Sequence, residues 1–527
     1  MRFCCCIKWC SVIALLVFGI ICLCFGIFSL IFVPKLVTKA IRENVFVGRF
    51  PNGSDNFAME QYRDPKYDVK MQIWVFSVQN PNEIVNKGEK ANVTELGPFT
   101  YDIRIHKNNV KFGSNDSRLF YRNVKSFFFN PHLSCSKCNL SSSVVVPNLI
   151  FQKLVDAFGN NTFLIPFIEP FLMNKEKVFV SVTVDELLFQ GYEDKFVNDI
   201  CSNPLTKGFC GPNVPDRIGL FYGQNGTDDG LYEVDTGKEN ADRIGQVYSW
   251  EGMDRKLNDA HWYGERARLI RGTDGQLFPP GLLEERKLQI FSGWLCRSFD
   301  LAFDRSLIFA GLPVRRFALP ISLFSSESQR SAGFCNPNSA EYFHNKSVQE
   351  VHPFSLFNLI FVGCAPSGLL DLSSCLPGQP RIFLSAAHLR GAADELRQSI
   401  DGIGGDKAAE NGDDNDADDA NLGFFDIEPL TGAAVRVQQQ FQMNLGMLRG
   451  KFRMTQKMRN FVMPMLRMNQ IAVVDPFTKE QLLLPVNALQ FSHIFAIVLI
   501  SLGTFLTIIS IGLAAFFTVK RNGKYVK

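Results

Sequence analysis

Histidine and tryptophan are scarce in this chain. Seven His are scattered from His106 to His493, and five Trp occur in 527 residues. Four motifs are missing altogether: the GxSxG nucleophile elbow, HExxH, the phosphate loop that ends in Lys-Ser/Thr, and GxGxxG. Their absence excludes the commonest layouts for acyl transfer, zinc proteolysis, and nucleotide or dinucleotide chemistry. His388, close in sequence to Asp394, reads as structural. Excess charge is missing too. Fifty-five Lys and Arg against 52 Asp and Glu leave a net +3, which gives no footprint for nucleic acid. No internal repeat is evident. The chain reads as a non-enzyme with no cofactor.

Apolar length is abundant. Ser11 to Val33 and Ile494 to Val519 are runs of 23 and 26 residues without a charge, and about 20 helical residues span a bilayer core. The first run exceeds the h-region of a signal peptide, and no clear small-residue cleavage site follows it. Arg2 and Lys8 precede the first run. Lys520, Arg521, Lys524 and Lys527 follow the second. Basic flanks of this kind favour cytosolic termini. Seven Asn-x-Ser/Thr sequons lie between the runs, at Asn52, Asn92, Asn115, Asn139, Asn160, Asn225 and Asn345. They mark the intervening chain as non-cytosolic and glycosylated. The expected organisation is a tail (1–10), a span (11–33), an ectodomain (34–493), a second span (494–519) and a tail (520–527).

The fourteen Cys form two groups. Cys4, Cys5, Cys6 and Cys10 sit before the first span as candidates for S-palmitoylation. Cys22 and Cys24 lie within it. Cys135, Cys138, Cys201, Cys210, Cys296, Cys335, Cys364 and Cys375 lie in the ectodomain. An even number in an oxidising compartment implies disulfides, and eight Cys allow 105 pairings. The single CxxC, Cys135–Cys138, has no second CxxC or His pair to complete a zinc site.

Residues 66–125 alternate as short strands, MQIWVFSVQN (71–80) and FTYDIRI (99–105) among them, with NPNEIVNKGEKANVTELGP between them as loop, strand and turn. PNLIFQKLVDAFGNN repeats apolar residues at helical spacing. TFLIPFIEPFLMNKEK is nearly apolar all round, and Pro166 and Pro170 are expected to break it into short pieces. VTVDELLFQGY (182–192) is helix-like again. Residues 215–390 return to strands and turns, as does 437–467. Residues 401–423 carry eight Asp or Glu and read as a solvated acidic loop. FYGQNGTDDGLYEVDTG (221–237) does not fit a calcium loop, because Asp228 and Asp229 are adjacent and run straight into Gly230. It reads as a glycosylated turn between two strands.

Six motifs in a consistent order carry a resemblance: NPNEIVNKGEKANVTELGPFTY (80–101), TVDELLFQGY (183–192), GLFYGQNGTDDGLYEVDTG (219–237), GTDGQLFPP (272–280), CRS (296–298) and FDIEPLTG (425–432). With the two spans, the chain resembles the class B scavenger receptors, a family that includes a fatty-acid translocase, a high-density-lipoprotein receptor, lysosomal integral membrane proteins and sensory-neuron membrane proteins. The resemblance implies an α+β ectodomain: an antiparallel β-barrel core, an apical helical bundle over 147–192, and an apolar tunnel toward the bilayer. It implies Cys296–Cys375 and Cys335–Cys364 disulfides, and leaves 135–138 and 201–210 as local pairs. Lys175 and Lys177 match apical positions implicated in binding acyl carboxylates or anionic particles. Lys153 adds to them, and Phe167 and Phe171 join them as candidate ligand contacts. Two departures put ligand preference in doubt: Ser385-Ala-Ala-His388-Leu389 replaces the family's Ser-Leu-Pro-His-Phe, and the acidic insert replaces a shorter loop.

The implied partners are lipids, fatty acids, sterol esters or lipoprotein particles, with homo-oligomers left open. Solvating a 16-carbon chain costs about 12 kcal/mol at ~0.8 kcal/mol per CH₂, so a sheltered route has a physical rationale. The favoured reading is a cell-surface receptor that passes lipid to the membrane. The alternatives are a lysosomal membrane protein and an adhesion or pattern-recognition receptor without transport. The tail KRNGKYVK lacks an acidic-dileucine or tyrosine sorting signal, which favours the surface.

Overall fold

Two long helices bracket the chain, Arg2–Asn44 and Pro476–Asn522. The computed structural model describes residues 2–202, 204, 216–325, 332–334, 365–376, 378–404 and 421–522; the side chains of residues 2–8, Ser114, Phe171, Asn174, Lys175, Ala332, Asn421, Arg521 and Asn522 fall outside that description. Both helices contain stretches long and apolar enough to cross a membrane. At 1.5 Å per residue the first is about 65 Å long, roughly twice the hydrocarbon thickness. Each therefore continues past the apolar run read from sequence. The run marks where solvent begins, and the helix carries on through Pro34 in one case and Pro485 in the other. The helices pack antiparallel through small residues. A Cβ on Gly503 would lie 2.7 Å from the Gly19 carbonyl, and one on Gly26 would lie 2.6 Å from Ile500. Close approach at such residues is how helices associate in lipid.

Between them, fifteen described strands form one sheet. Its main path runs Met253–Asp254, Val247–Trp250, Thr227–Asp235, Arg118–Phe129, Ala91–Phe112, Tyr67–Val78, Phe461–Val474, Ala434–Met447, Asn421–Ile427, Leu312–Pro320, Arg297–Phe309 and Leu288–Ser292. Neighbours along this path are antiparallel. The alternation in Tyr67–Val78 buries Val69, Met71, Ile73 and Val75, as period two requires when one face meets a core. The sheet closes on itself through Gly272–Thr273. The Val247 amide donates to the Gly272 carbonyl at 2.9 Å, and Thr273 exchanges backbone bonds of 3.0 and 2.8 Å with Gln289 and Phe291. Gly272 has φ +90°, and a Cβ there would sit 2.1 Å from the Gln289 carbonyl oxygen. Only glycine fits this seam.

Tyr67 pairs with Val474 at one end of the barrel wall, next to the start of helix Pro476–Asn522. Val78 and Phe461 lie at the other end. There the hairpin Ser143–Pro147/Phe179–Thr183 brackets two helices, Leu149–Phe158 and Ile165–Lys175.

Three local expectations change. Pro81–Lys87 is a helix closed by Gly88 in the left-handed region, because Pro81 starts a helix well. Ala91–Phe112 runs through Gly97-Pro98 as one strand. Ile165–Lys175 contains both prolines in a single helix: Pro166 falls in the first turn, where no amide is needed, and Pro170 is tolerated inside it.

Cys135 is bonded to Cys138, and Cys296 to Cys375. Cys201 is disulfide-bonded, and its expected partner, Cys210, lies outside the described residues. So do Cys335, Cys364 and Asn345, and most of the acidic stretch. Cys10 is free and exposed, in the helix that also holds Cys4, Cys5 and Cys6.

Candidate functional site

The distal helices are anchored by one asparagine. Asn148 caps Leu149–Phe158, its Oδ1 accepting from the Ile150 and Phe151 amides at 3.0 and 3.1 Å. Its Nδ2 donates to Glu176 at 2.5 Å. Phe151 and Val155 fill the core below. Above, Phe163 is 75% exposed and Phe167 65%, with ring centroids 5.9 Å apart, and Met173 adds to the apolar surface. Lys177 is exposed just past the helix. Lys153 is engaged, donating to the Gln379 carbonyl at 2.9 Å with Asp156 at 3.8 Å. The side chains of Phe171 and Lys175 lie outside the described residues.

Glu176 stands between the two lysines in sequence, where it is expected to offset their charge. It is instead 5% exposed and faces Asp194, which caps helix Lys195–Ser202 through the Val197 amide. Burial, then the charge of Asp194, pushes its pKa up to about 8. Near neutral pH it is largely a neutral hydrogen-bonded acid, so the surface at this end is more cationic than the sequence suggests. A raised carboxyl favours folding below its unfolded pKa, and that contribution is lost as pH rises from the ordinary Glu range through about 8. Glu176→Gln mimics the protonated form. It should raise the melting temperature at pH 8, with the difference vanishing by pH 4.5, as followed by thermal unfolding of the full-length protein in detergent. An equal difference at both pH values would refute the assignment.

Two cavities lie further down. The first, of about 190 Å³, is lined from around the barrel: Met71, Asn123, Asp229, Ile290, Phe441 and Met468 come from six different strands. Asn123 Oδ1 and Asp229 Oδ1 are buried without a hydrogen-bond partner. The second, of about 320 Å³, lies where the long helices meet the barrel, between Val45, Phe57, Tyr62, Tyr67, Gln276 and Leu482. The residues between the cavities are polar, and sequence reading missed them. One signal was available: Lys107 shares the face of Tyr101, Ile103 and Ile105, and an inward-facing charge in a strand is unusual.

The remaining expected site residues do not line these cavities. Asn52, Asn92, Asn115, Asn139, Asn160 and Asn225 are all exposed. Asn225 is pinned to strand Arg118–Phe129, accepting from the Phe127 amide at 2.9 Å and donating to its carbonyl at 3.2 Å. Among the described residues no group of His, Cys, Asp or Glu could hold a metal. His388 does not meet Asp394. Its Nε2 is 3.1 Å from Glu95, whose other oxygen takes Arg467, stacked over Trp74 at 3.6 Å. Burial works to raise the Glu95 pKa, but the His388 hydrogen bond and the Arg467 charge hold it below the usual range.

A closed antiparallel barrel between two apolar terminal helices, with cavities among its strands and beneath it, fits a membrane protein with two spans. Residues 17–514 match the CD36 family, and the chain belongs to it. It is 29% identical to lysosome membrane protein 2 of Mus musculus over 91% of this chain and 89% of that protein. It is 28% identical to scavenger receptor class B member 1 of Rattus norvegicus (94% and 87% covered) and 29% identical to that of Cricetulus griseus (96% and 89%).

Proposed function

We propose that this protein is a receptor that engages lipid-bearing particles at its distal helical end and passes single lipids through the barrel to the bilayer. One observation carries the reading: strands Tyr67–Val78 and Phe461–Val474 line both cavities, the one among the barrel strands through Met71 and Met468 and the one at the roots of the membrane helices through Tyr67 and Val474. The exposed Phe163 and Phe167 suit an apolar contact, and Lys177 with Lys175 supplies positive charge for an anionic particle surface. The class B scavenger receptors among the relatives are named as receptors, which supports a receptor over an enzyme. We place residues 34–493 outside the cytosol, with sequon glycans, and both tails inside, with Cys4, Cys5, Cys6 and Cys10 open to acylation. The cell surface is the favoured site. The relative named for the lysosome membrane keeps that compartment as the second reading, which organelle co-staining decides.

The test uses particles with an anionic phospholipid shell and a neutral fluorescent cargo, offered to cells at equal receptor surface level. Lys175→Ala with Lys177→Ala should lower particle binding and cargo uptake together, several-fold. Binding that is unchanged in the variant would refute the role of the lysines. Binding without cargo uptake in the parent protein would refute passage and leave an adhesion receptor.

A further inference from the structure

The two cavities are separated by a buried polar partition. Lys107 is 5% exposed, Tyr62 and Tyr121 are 1% exposed, and Tyr232 is 3% exposed. Asp229, on the wall of the inner cavity, accepts from the Tyr232 hydroxyl at 3.2 Å. Tyr232 stacks on Tyr121, with centroids 5.4 Å apart and planes within 5°. The Tyr121 and Tyr62 hydroxyls both donate to Asp274 Oδ2, at 2.7 and 2.8 Å. The Lys107 ammonium lies 3.8 Å from that carboxylate, donates to Gln276 Oε1, and sits 4.0 and 4.9 Å from the Tyr62 and Tyr121 ring centres. Tyr62 and Gln276 line the membrane-side cavity. A continuous chain of contacts thus runs from one cavity wall to the other.

The two cavities are small alone. Sites that hold drug-sized ligands span about 300–1,000 Å³; the inner cavity falls short of that range, and the outer is at its lower limit. Joined, they fall well within it, and a lipid travelling between them must pass these side chains.

The chemistry of the partition is one-sided. Asp274 is already well supplied with donors: Oδ2 accepts from two hydroxyls, and Oδ1 from the Gln276 backbone amide at 3.1 Å. Lys107 has three donors; one goes to Gln276 and one is directed at Asp274, which leaves the third. Spare capacity is therefore for an acceptor oxygen. Charge is already balanced, Lys107 against Asp274 and Lys125 against Asp229. Burial lowers the Lys107 pKa while Asp274 opposes the shift, and burial raises that of Asp229 while Lys125 opposes it. An added carboxylate would be an uncompensated charge in a poorly solvated place.

We propose that Lys107 and Asp274, latched by Tyr62 and Tyr121, form a charge-balanced gate between the cavities. It passes lipids with an uncharged, oxygen-bearing head and resists those ending in a carboxylate. The proposal rests on the reading that lipid crosses the barrel.

The experiment measures transfer of two probes with one fluorescent acyl chain, the free acid and its glycerol monoester, by the full-length protein in vesicles at pH 7.4. The parent protein should transfer the ester faster. Asp274→Asn keeps the shape but leaves Lys107 unbalanced, and should shift the acid-to-ester ratio toward the acid by about tenfold, in keeping with the size of a nearby unit charge. Tyr62→Phe with Tyr121→Phe keeps both charges and rings, and should speed both probes without changing the ratio. A parent protein that transfers neither probe refutes passage itself. One that transfers the ester, but the acid equally well, overturns the gate, as does an unchanged ratio in Asp274→Asn. Should Asp274→Asn fail to fold, unchanged rates in the tyrosine pair overturn it and a matched acceleration upholds it.

Discussion

Asp426→Ala should abolish the folded protein at the membrane. Asp426 is fully buried and takes two guanidinium groups. Arg316 donates through two nitrogens at 2.7 and 3.0 Å, and Arg436 through Nε at 2.7 Å. Phe424 lies 3.7 Å from the first guanidinium and 5.0 Å from the second. Removing the carboxylate takes two charge-assisted hydrogen bonds from Arg316, itself 2% exposed. Breaking a buried pair in this way costs about 3–5 kcal/mol, a large part of the 5–15 kcal/mol that holds a typical domain. Surface biotinylation should show retention inside the cell. Asp426→Asn retains an acceptor and should lose less. Asp228→Ala removes a partly exposed partner of Arg122, a pair worth about 0–1 kcal/mol, and should reach the surface normally. Equal surface levels for all three variants would contradict this account of the cluster.

Losing the Cys296–Cys375 bond should be nearly as costly. It spans 79 residues, and chain entropy alone gives about 4.5 kcal/mol for such a loop. The bond fastens residues 365–376 to the start of strand Arg297–Phe309. Trp262 locks the same place by donating to the Cys296 carbonyl at 2.5 Å. Replacing both cysteines by Ser should lower the melting temperature sharply. The Cys135–Cys138 bond closes a separation of only three residues, for which the same account gives about 1.5 kcal/mol. If the short loop proves the more important, chain entropy is not what the long one supplies.

Much of this was legible because period and turn chemistry are local. The alternation in 71–80, the helical spacing after Pro147 and the two apolar runs each state their structure without reference to the rest. FDIEPLTG was legible as a motif but not as a mechanism: nothing in sequence says that Asp426 meets Arg316, 110 positions away, or that Glu428 folds back to hold the Leu430 and Thr431 amides. The turn expected within 221–237 is there at 221–226, but the strand after it starts already at Thr227 and no described strand precedes it; the side chain of Asp229 lines a cavity. Glu176 misled because its neighbours in sequence are lysines, while its neighbours in space are Asn148 and Asp194. The gate residues were the hardest to see. They come from a short helix, two strands and the 272–276 loop, and only Lys107 broke its own pattern.

The pairing of Tyr67–Val78 with Phe461–Val474 has a consequence for biogenesis. Val69 lies opposite Ala472, about 400 residues later. At about 5–20 residues per second of synthesis, the early strand waits roughly 20–80 s for its partner. Until then it exposes unpaired amides and an apolar face. A premature stop anywhere before residue 461 therefore yields an unsealed sheet rather than a smaller version of the fold. The sequons at Asn52, Asn92 and Asn115 lie on the part of the chain made first, where a folding intermediate would most need to be kept soluble.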